Sequence, residues 1–147
     1  MTPTVQESFR AEWMEALLDD PEVFQGASGG EYRREEFNLG LVPEGTRFFG
    51  VFFGEQPIGF FTVLPGPGTR VEIHTTMGKT ARGKVAIDAM KSVLSLLKQK
   101  GVTAVGSFCY KKSPHTIWFA KKCGFHVADS PTDSNLVPVE ICLSSPQ

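Results

Sequence analysis

The chain has 147 residues, of which 41% are hydrophobic and twelve are Phe, so residues 1–147 suit one domain with a substantial core. The formal net charge is −1, and the Lys residues occur in scattered pairs without a continuous basic stripe, so we expect no nucleic-acid partner. No apolar run reaches the roughly 18 residues that a membrane helix requires, and the N-terminus is too polar for a signal peptide, so we expect a cytoplasmic protein without membrane association.

The N-terminal region is predicted to be helical. Residues 4–19 place apolar side chains along one side and acidic side chains along the other, and Pro21 ends this helix because the residue before Pro avoids the helical region. Residues 21–25 and 31–38 could each add a short helix, separated by the Gly-rich residues 26–30. This stretch suits either a loop that covers a substrate or an ordinary surface connection.

Two aromatic runs, residues 46–53 and 58–64, are predicted to form a β-hairpin around the turn residues 54–57. Their Phe residues occur as adjacent pairs, and neighbouring strand positions point to opposite faces, so both faces of these strands should be covered. The Pro-Gly-Pro-Gly stretch at 65–68 then turns the chain into the next strand.

A strand at residues 71–77 and a helix at residues 85–100 form the central unit of the sequence. Alternation places Glu72, His74 and Thr76 on one face of the strand and Val71, Ile73 and Thr75 on the other. The helix carries one apolar stripe, which is formed by Ala86, Met90, Val93, Leu94 and Leu97.

The loop between this strand and helix has the features of an anion site. The N–H groups of the first helical turn and the positive end of the helix dipole point toward it, and Arg82 and Lys84 add two cations. The loop also lies in the basic half of the chain, since residues 71–147 carry a net charge of +5 and residues 1–70 a net charge of −6. We therefore predict a phosphate or pyrophosphate site here.

The C-terminal part is predicted to contain a strand at 102–110, a short helix and a closing strand pair at 125–128 and 137–143. Ser113 suits the N-cap of the helix, with Pro114 at its first position. We expect Trp118 and Phe119 to lie in the core and Cys109 to be a small buried residue. The three Cys form no CxxC pair, so neither a disulfide framework nor a metal site is indicated.

The order of these elements resembles that of the GNAT (Gcn5-related) N-acetyltransferases, over about residues 46–143. Members of this family have an Arg/Gln-x-x-Gly-x-Gly/Ala loop, whose register here gives Arg82-Gly83-Lys84-Val85-Ala86-Ile87. A second signature, Asn-x-x-Ala followed by Tyr and Gly-Phe, maps onto residues 113–116, Ala120 and Gly124-Phe125. The Glu-x-His strand followed by Arg-Gly also resembles small phage-encoded members.

The resemblance implies an α/β (α+β) GNAT-like fold with a mixed, mostly antiparallel sheet of about six strands flanked by helices. Residues 1–45 would be a helical region on the substrate side, and residues 46–143 the sheet and the cofactor-binding core. The implied cofactor is acetyl-CoA or CoA. The resemblance assigns its binding to Thr76, Met77, Arg82, Gly83, Lys84, Val85 and Ser113.

The sequence departs from the family pattern at three kinds of position. Val85 and Ile87 replace the loop glycines, which let the backbone approach a pyrophosphate without a Cβ in the way. Ala120 replaces the Tyr that often protonates the departing thiolate, and Ser113 replaces the Asn. An acid would then have to come from Tyr110, His115 or water.

Acetyl transfer to an amine also needs a base, and Glu72 and His74 could supply it directly or through water. The carboxylate of histone-type members would fall at Val71, so Glu72 matches it only if the strand carries a bulge. Otherwise Glu72 reads as a solvated strand residue.

Two functions remain open from the sequence. The first is an acetyl-CoA-dependent N-acetyltransferase that acts on an amine of a small molecule or protein. The second is a GNAT-fold protein with attenuated chemistry that binds and modulates a host protein, which suits Val85, Ile87 and Ala120. The sequence gives no indication of oligomeric state.

Overall fold

The computed structural model describes residues 2–7, 10–28, 42–128 and 135–143. Seven strands form one sheet in the order β1-β2-β3-β4-β5-β7-β6, and the β4–β5 pair is parallel whereas the other neighbours are antiparallel. The strands are β1 Thr4–Glu7, β2 Arg47–Phe53, β3 Gln56–Pro65, β4 Arg70–Met77, β5 Ala104–Tyr110, β6 His126–Val127 and β7 Leu136–Cys142. The helices are α1 Ala11–Leu18, α2 Pro21–Ser28, α3 Lys84–Gln99 and α4 Pro114–Lys122. The predicted fold class is confirmed.

One sheet face packs against α3 and part of α4. The predicted apolar stripe of α3 is confirmed, since each of its five residues is buried, and Ala89 joins them. This helix packs on strand residues of the same core cluster, such as Phe61, Ile73 and Val105, all fully buried. Because β3, β4 and β5 each contribute to this layer, α3 has a fixed position relative to the end of β4.

The other face packs against α1 and α2. Phe60 points to this side, where it contacts a cluster with Met14, Leu18 and Phe24, whereas the adjacent Phe61 points to the α3 side. The adjacent Phe pairs of the hairpin therefore cover both faces of the sheet, as predicted. The helix expected at residues 21–25 is also confirmed, although it continues through residues 26–28. The expected helix at 31–38 lies outside the described residues.

The prediction of a helix over residues 4–19 was wrong in its first turn. Residues Thr4–Glu7 form the edge strand β1, which pairs with β2 from Thr4↔Phe52 to Glu7↔Phe49, and the helix starts only at Ala11. The Glu7 carboxylate is fixed by two 2.6 Å hydrogen bonds from the Arg47 guanidinium and by an ion pair with Lys100. These long-range contacts override the weak local helix pattern, and they explain the seventh strand.

Trp118 is also placed differently from the prediction. Its side chain is 52% exposed on α4, with the Lys122 ammonium 5.7 Å from its ring centroid, whereas Phe119 packs against the core as expected. Trp118 points outward because Ile117 and Ala120 fill the inward face of this short helix. Cys109 is buried, as predicted.

None of the described helices is both long enough and apolar enough to cross a membrane. Within the described ranges, no group of three or more His, Cys, Asp or Glu side chains is arranged to hold a metal ion.

Candidate active site

The parallel strands β4 and β5 pair only along part of their length. Their ladder has three pairs, from Arg70↔Ala104 to Glu72↔Gly106, although β4 continues to Met77 and β5 to Tyr110. Past the ladder, Ser107 Oγ donates a 2.5 Å hydrogen bond to the Ile73 carbonyl. Within the described residues, the β4 backbone around Thr76 and Met77 has no β5 ladder partner, so its polar groups on this side need another hydrogen-bond partner.

The N-terminus of α3 follows directly from this end of β4. A single 3₁₀ turn, Lys79–Ala81, leads through Arg82 to Gly83, which adopts φ +72° and ψ −132° before the helix begins at Lys84. This backbone region is essentially restricted to glycine. The N-cap residue Gly83 has no side chain that could cap the helix, and N–H groups in such a first turn suit an anion.

Two of the three loop cations are available to a ligand. Arg82 is exposed, and the Lys84 side chain is 90% exposed and lies 4.0 Å from the Asp88 carboxylate. Lys79 instead pairs with Asp20 at 3.4 Å and with Glu22 at 3.8 Å, which ties the loop to the start of α2. The positive field at the α3 N-terminus therefore comes from Arg82, Lys84 and the helix dipole.

The residues that replace the family glycines are accommodated without backbone strain. Val85 and Ile87 lie within α3, are half-buried and pack against the core cluster. The glycine that the backbone conformation requires, Gly83, is present. What Val85 and Ile87 add is a Cβ and apolar side chain in the first turn, where a pyrophosphate would approach.

The first turn of α4 is not capped by the Ser113 side chain, in contrast to the prediction. Ser113 occupies the N-cap position with Pro114 at the first turn, but its side chain makes no capping hydrogen bond. Thr116 Oγ1 instead donates to the Ser113 carbonyl at 2.7 Å and accepts from the Tyr110 N–H at 3.1 Å, which joins β5 to α4. The Ser113 hydroxyl is therefore not used for capping.

The remaining predicted acids lie at the β5–α4 end of the site. Tyr110 is the last residue of β5 and is half-buried, and His115 is exposed in the first turn of α4. Ala120, at the position of the family Tyr, is buried against the core and has no group that donates a proton.

Glu72 and His74 form a direct pair on β4. His74 Nε2 lies 2.7 Å from Glu72 Oε2, and the side chains are 42% and 37% exposed. In the tautomer in which Nε2 donates to the Glu72 carboxylate, Nδ1 is the ring nitrogen left to accept another hydrogen bond. The contact confirms that these two residues share a strand face.

The bulge that would align Glu72 with the histone-type carboxylate is absent from the β3–β4 ladder. Its pairing is regular from Pro65↔Val71 to Gly59↔Met77. Any role of Glu72 must therefore rest on its own contact with His74. At the C-terminal end of β4, Gly59 of β3 pairs with Met77. A Cβ on Gly59 would overlap Met77 Sδ and the Thr76 carbonyl, so the glycine allows β3 to approach β4 closely here.

The sequence analysis did not identify a second group of ionisable residues on the sheet face that carries Glu72 and His74. Arg70 contacts Glu140 at 3.2 Å, and His126 Nε2 lies 3.5 Å from the other oxygen of Glu140. These residues come from β4, β7 and β6, so no local pattern connects them. The isolated Gly106 within β5 is the one sequence signal, because a strand glycine often marks a close approach of another group.

No family model matches the sequence, and a search of curated proteins found no similar sequence. Solved structures of acetyltransferases, in contrast, match nearly the whole chain. A spermidine N-acetyltransferase from Vibrio cholerae in complex with CoA and spermine superposes with a TM-score of 0.76 at 13% identity, over 97% of this chain and 96% of that one.

Two further structures give the same result. A PaiA N-acetyltransferase from Thermoplasma acidophilum in complex with coenzyme A has a TM-score of 0.71 at 17% identity, covering 95% of this chain and 98% of its own. The ribosomal-protein-S18-alanine N-acetyltransferase from Escherichia coli has a TM-score of 0.70 at 11% identity, covering 99% and 97%. An acetyltransferase of the GNAT family from Staphylococcus aureus also matches, with a TM-score of 0.74 at 12% identity over 97% of this chain and 100% of that one, so the protein has the fold of the GNAT acetyltransferases.

Proposed function

We propose that this protein is an acetyl-CoA-dependent N-acetyltransferase that acts on an amine of a small molecule or protein. The observation that carries the proposal is the junction of two features at one end of β4. The β4–β5 ladder ends after Glu72, and the uncapped N-terminus of α3 follows from the same strand with Arg82 and Lys84 beside it. The GNAT fold supports this assignment, as do the neighbours in complex with CoA.

The residues at this junction fit the anionic and amide groups of CoA. The free N–H groups at the start of α3, together with Arg82 and Lys84, would hold the pyrophosphate. The unpaired backbone around Thr76 and Met77 would hydrogen-bond the pantetheine arm and hold the thioester carbonyl. Ser113, whose hydroxyl is not used for capping, would contact the arm from the α4 side. When bound, acetyl-CoA supplies an acetyl group activated as a thioester.

The Glu72–His74 pair supplies the base in this proposal. An acceptor amine is a poor nucleophile while it is protonated, so a proton must leave before or during attack. His74 Nδ1 accepts that proton, directly or through a water molecule, while the Glu72 carboxylate holds the ring through Nε2 and stabilises the imidazolium. Glu72 thereby acts as an orienting group for His74, although the sequence had left either residue as the base.

The proposed site also needs an acid for the departing thiolate. Ala120 provides no proton, so the departing thiolate takes one from Tyr110, from His115 or from water. Tyr110 is the best placed of the two side chains, because alternation along β5 puts it on the same face as Gly106, which pairs with Glu72. An amine acceptor is also in keeping with two of the structural neighbours, a spermidine N-acetyltransferase and a ribosomal-protein-S18-alanine N-acetyltransferase.

The proposal is tested by turnover. The purified protein is incubated with acetyl-CoA and a panel of polyamines, aminoglycosides and peptide amines, and free thiol release and acetylated product are measured. Arg82→Glu should abolish both, because it reverses a loop charge. Lys91→Glu, which reverses an exposed charge further along the same helix, is the matched control and should retain both. A loss of activity in both variants alike would count against a site at the α3 N-terminus.

A second candidate function is binding of a host protein with little or no chemistry. The exposed Trp118 and its neighbour Lys122 favour it, because a half-exposed Trp is a frequent anchor of protein interfaces. Under this function, capture of one partner would be lost in Trp118→Ala and would be unaffected by CoA. Equal capture by Trp118→Ala would remove the observation that supports it.

A further inference from the structure

A row of side chains crosses the sheet beside the Glu72–His74 pair. The ladders place Glu72 of β4 opposite Gly106 of β5, Gly106 opposite Glu140 of β7, and Glu140 opposite His126 of β6. Paired residues of neighbouring strands point to the same face. The carboxylates of Glu72 and Glu140 therefore lie on one sheet face, and the position between them is Gly106, which has no side chain.

The Arg70 guanidinium occupies this position. Arg70 precedes Glu72 by two residues and so shares its face, and a Cβ on Gly106 would overlap the guanidinium. Arg70 Nη1 lies 3.2 Å from Glu140 Oε2. The glycine thus lets the guanidinium lie against the β5 backbone, between Glu72 on one side and Glu140 on the other.

Arg70 therefore has two possible carboxylate partners, and the structure shows which one it uses. Among the described residues, Arg70 pairs with Glu140, and Glu72 pairs with His74. If Arg70 paired with Glu72 instead, the guanidinium would compete with the His74 N–H for the carboxylate. It would also oppose the formation of a second positive charge on His74.

We infer that Glu140 is a positioning residue that holds Arg70 over Gly106 and so reserves Glu72 for His74. Of the residues that the structure describes, His126 is the other titratable side chain at this carboxylate, with Nε2 3.5 Å from Glu140 Oε1. The catalytic consequence rests on the proposed function, because it assumes that His74 accepts the amine proton. The arrangement of the charges does not depend on it.

The test is a double-mutant cycle on Arg70 and Glu140. In Glu140→Gln, Arg70 is released toward Glu72, and kcat/KM should fall by about tenfold with the KM for acetyl-CoA unchanged. The half-maximal point of the pH dependence of kcat/KM should move to lower pH, because imidazolium formation is less favourable. Arg70→Gln alone should not reduce kcat/KM. Arg70→Gln combined with Glu140→Gln should restore it, since no cation is left to compete.

A second measurement is independent of turnover. The His74 ring signals are followed by NMR during a pH titration and assigned through His74→Gln. Glu140→Gln should lower the titration midpoint by about half a unit, the double variant should return it toward the wild type, and Glu55→Gln, an exposed turn glutamate, should not move it.

The outcomes separate the inference from the proposed function. If Glu140→Gln moves the titration midpoint of His74 equally with Arg70 present and with Arg70 replaced, the change is a direct charge effect and the inference is overturned. An unchanged midpoint in Glu140→Gln would overturn it as well. A shift that requires Arg70, in a protein that shows no turnover with any acceptor, would support the inference and count against the acetyltransferase.

Discussion

His74 Nε2 and Glu72 Oε2 lie 2.7 Å apart on one face of β4. The buried Thr76 follows on the same face, two residues after His74. The contact between His74 and Glu72 fixes the imidazole tautomer and directs Nδ1 away from the carboxylate. The pair also lies where the β4–β5 ladder ends, so the His74 imidazole is held next to the part of β4 that β5 does not pair with.

Replacing either member of this pair should reduce acetyl transfer to different extents. His74→Ala removes the proton acceptor, so we expect kcat/KM to fall by about 10²–10⁴-fold. Glu72→Gln keeps an oxygen for the Nε2–H but loses the charge that stabilises the imidazolium, and should cost about tenfold. Steady-state kinetics measure both, with CoA affinity and melting temperature as controls. A larger loss in Glu72→Gln than in His74→Ala would make Glu72 the base.

The positive φ of Gly83 gives a prediction about the cofactor loop. Gly83→Ala should lower the free energy of unfolding by about 1–3 kcal/mol and should weaken CoA binding, because α3 can no longer begin in the same geometry. Gly68→Ala is the matched control, since Gly68 also has a positive φ, +61°, but lies in the turn at the other end of β4. It should cost about 1 kcal/mol of stability without a change in CoA affinity. Equal loss of affinity in both variants would contradict a specific role of the loop.

Val85→Gly tests whether the missing loop glycine limits the cofactor site. The variant removes a half-buried side chain and should lose about 0.5 kcal/mol of helix propensity in addition to the apolar contacts of Val85. We nevertheless expect severalfold tighter CoA binding, because the backbone N–H groups become more accessible. Leu96→Gly, a half-buried position near the other end of α3, controls for the loss of helix stability. Weaker binding in Val85→Gly would mean that the Val side chain contributes to the site.

The ion pair that fixes β1 predicts a pH dependence of stability. Hydrogen bonds from Arg47 lower the pKa of the Glu7 carboxylate below its ordinary value of 4.5, against the opposing effect of burial, and Lys100 adds to the lowering. A lowered pKa means that the contribution is present above 4.5 and is lost as the pH falls through the folded-state pKa. The side chains are 35% and 36% exposed, so we expect only about 0.5–1 kcal/mol.

Glu7→Gln should therefore destabilise the protein at neutral pH, and the difference from the wild type should disappear under acid conditions. Urea unfolding at several pH values measures this difference in the free energy of unfolding. Glu44→Gln, an exposed glutamate before β2, is the control. A difference that persists unchanged in acid would show that charge is not its origin.

The central elements were predictable because their signals are local. Alternation along β4 and the spacing of 3 and 4 in α3 depend only on neighbouring residues, and both were confirmed by the burial of Ile73 and Leu97. Gly83 and the loop cations were also identified from the sequence, although their roles remain predictions.

The errors arose where tertiary contacts decide the outcome. Residues 4–7 form a strand because β2 is available to pair with them and Arg47 is available to bind Glu7, forty residues away. Trp118 is exposed because the short α4 buries Ala120 instead. The Arg70–Glu140 contact joins residues seventy positions apart, so it could be found only from the fold.

The most direct test of the account is calorimetric titration of the purified protein with acetyl-CoA and with CoA. We predict one site per chain with micromolar affinity for both ligands, and a large loss of affinity in Arg82→Glu. No detectable heat or competition at millimolar concentrations of either ligand would contradict a cofactor site at the α3 N-terminus and, with it, the proposed acetyl transfer.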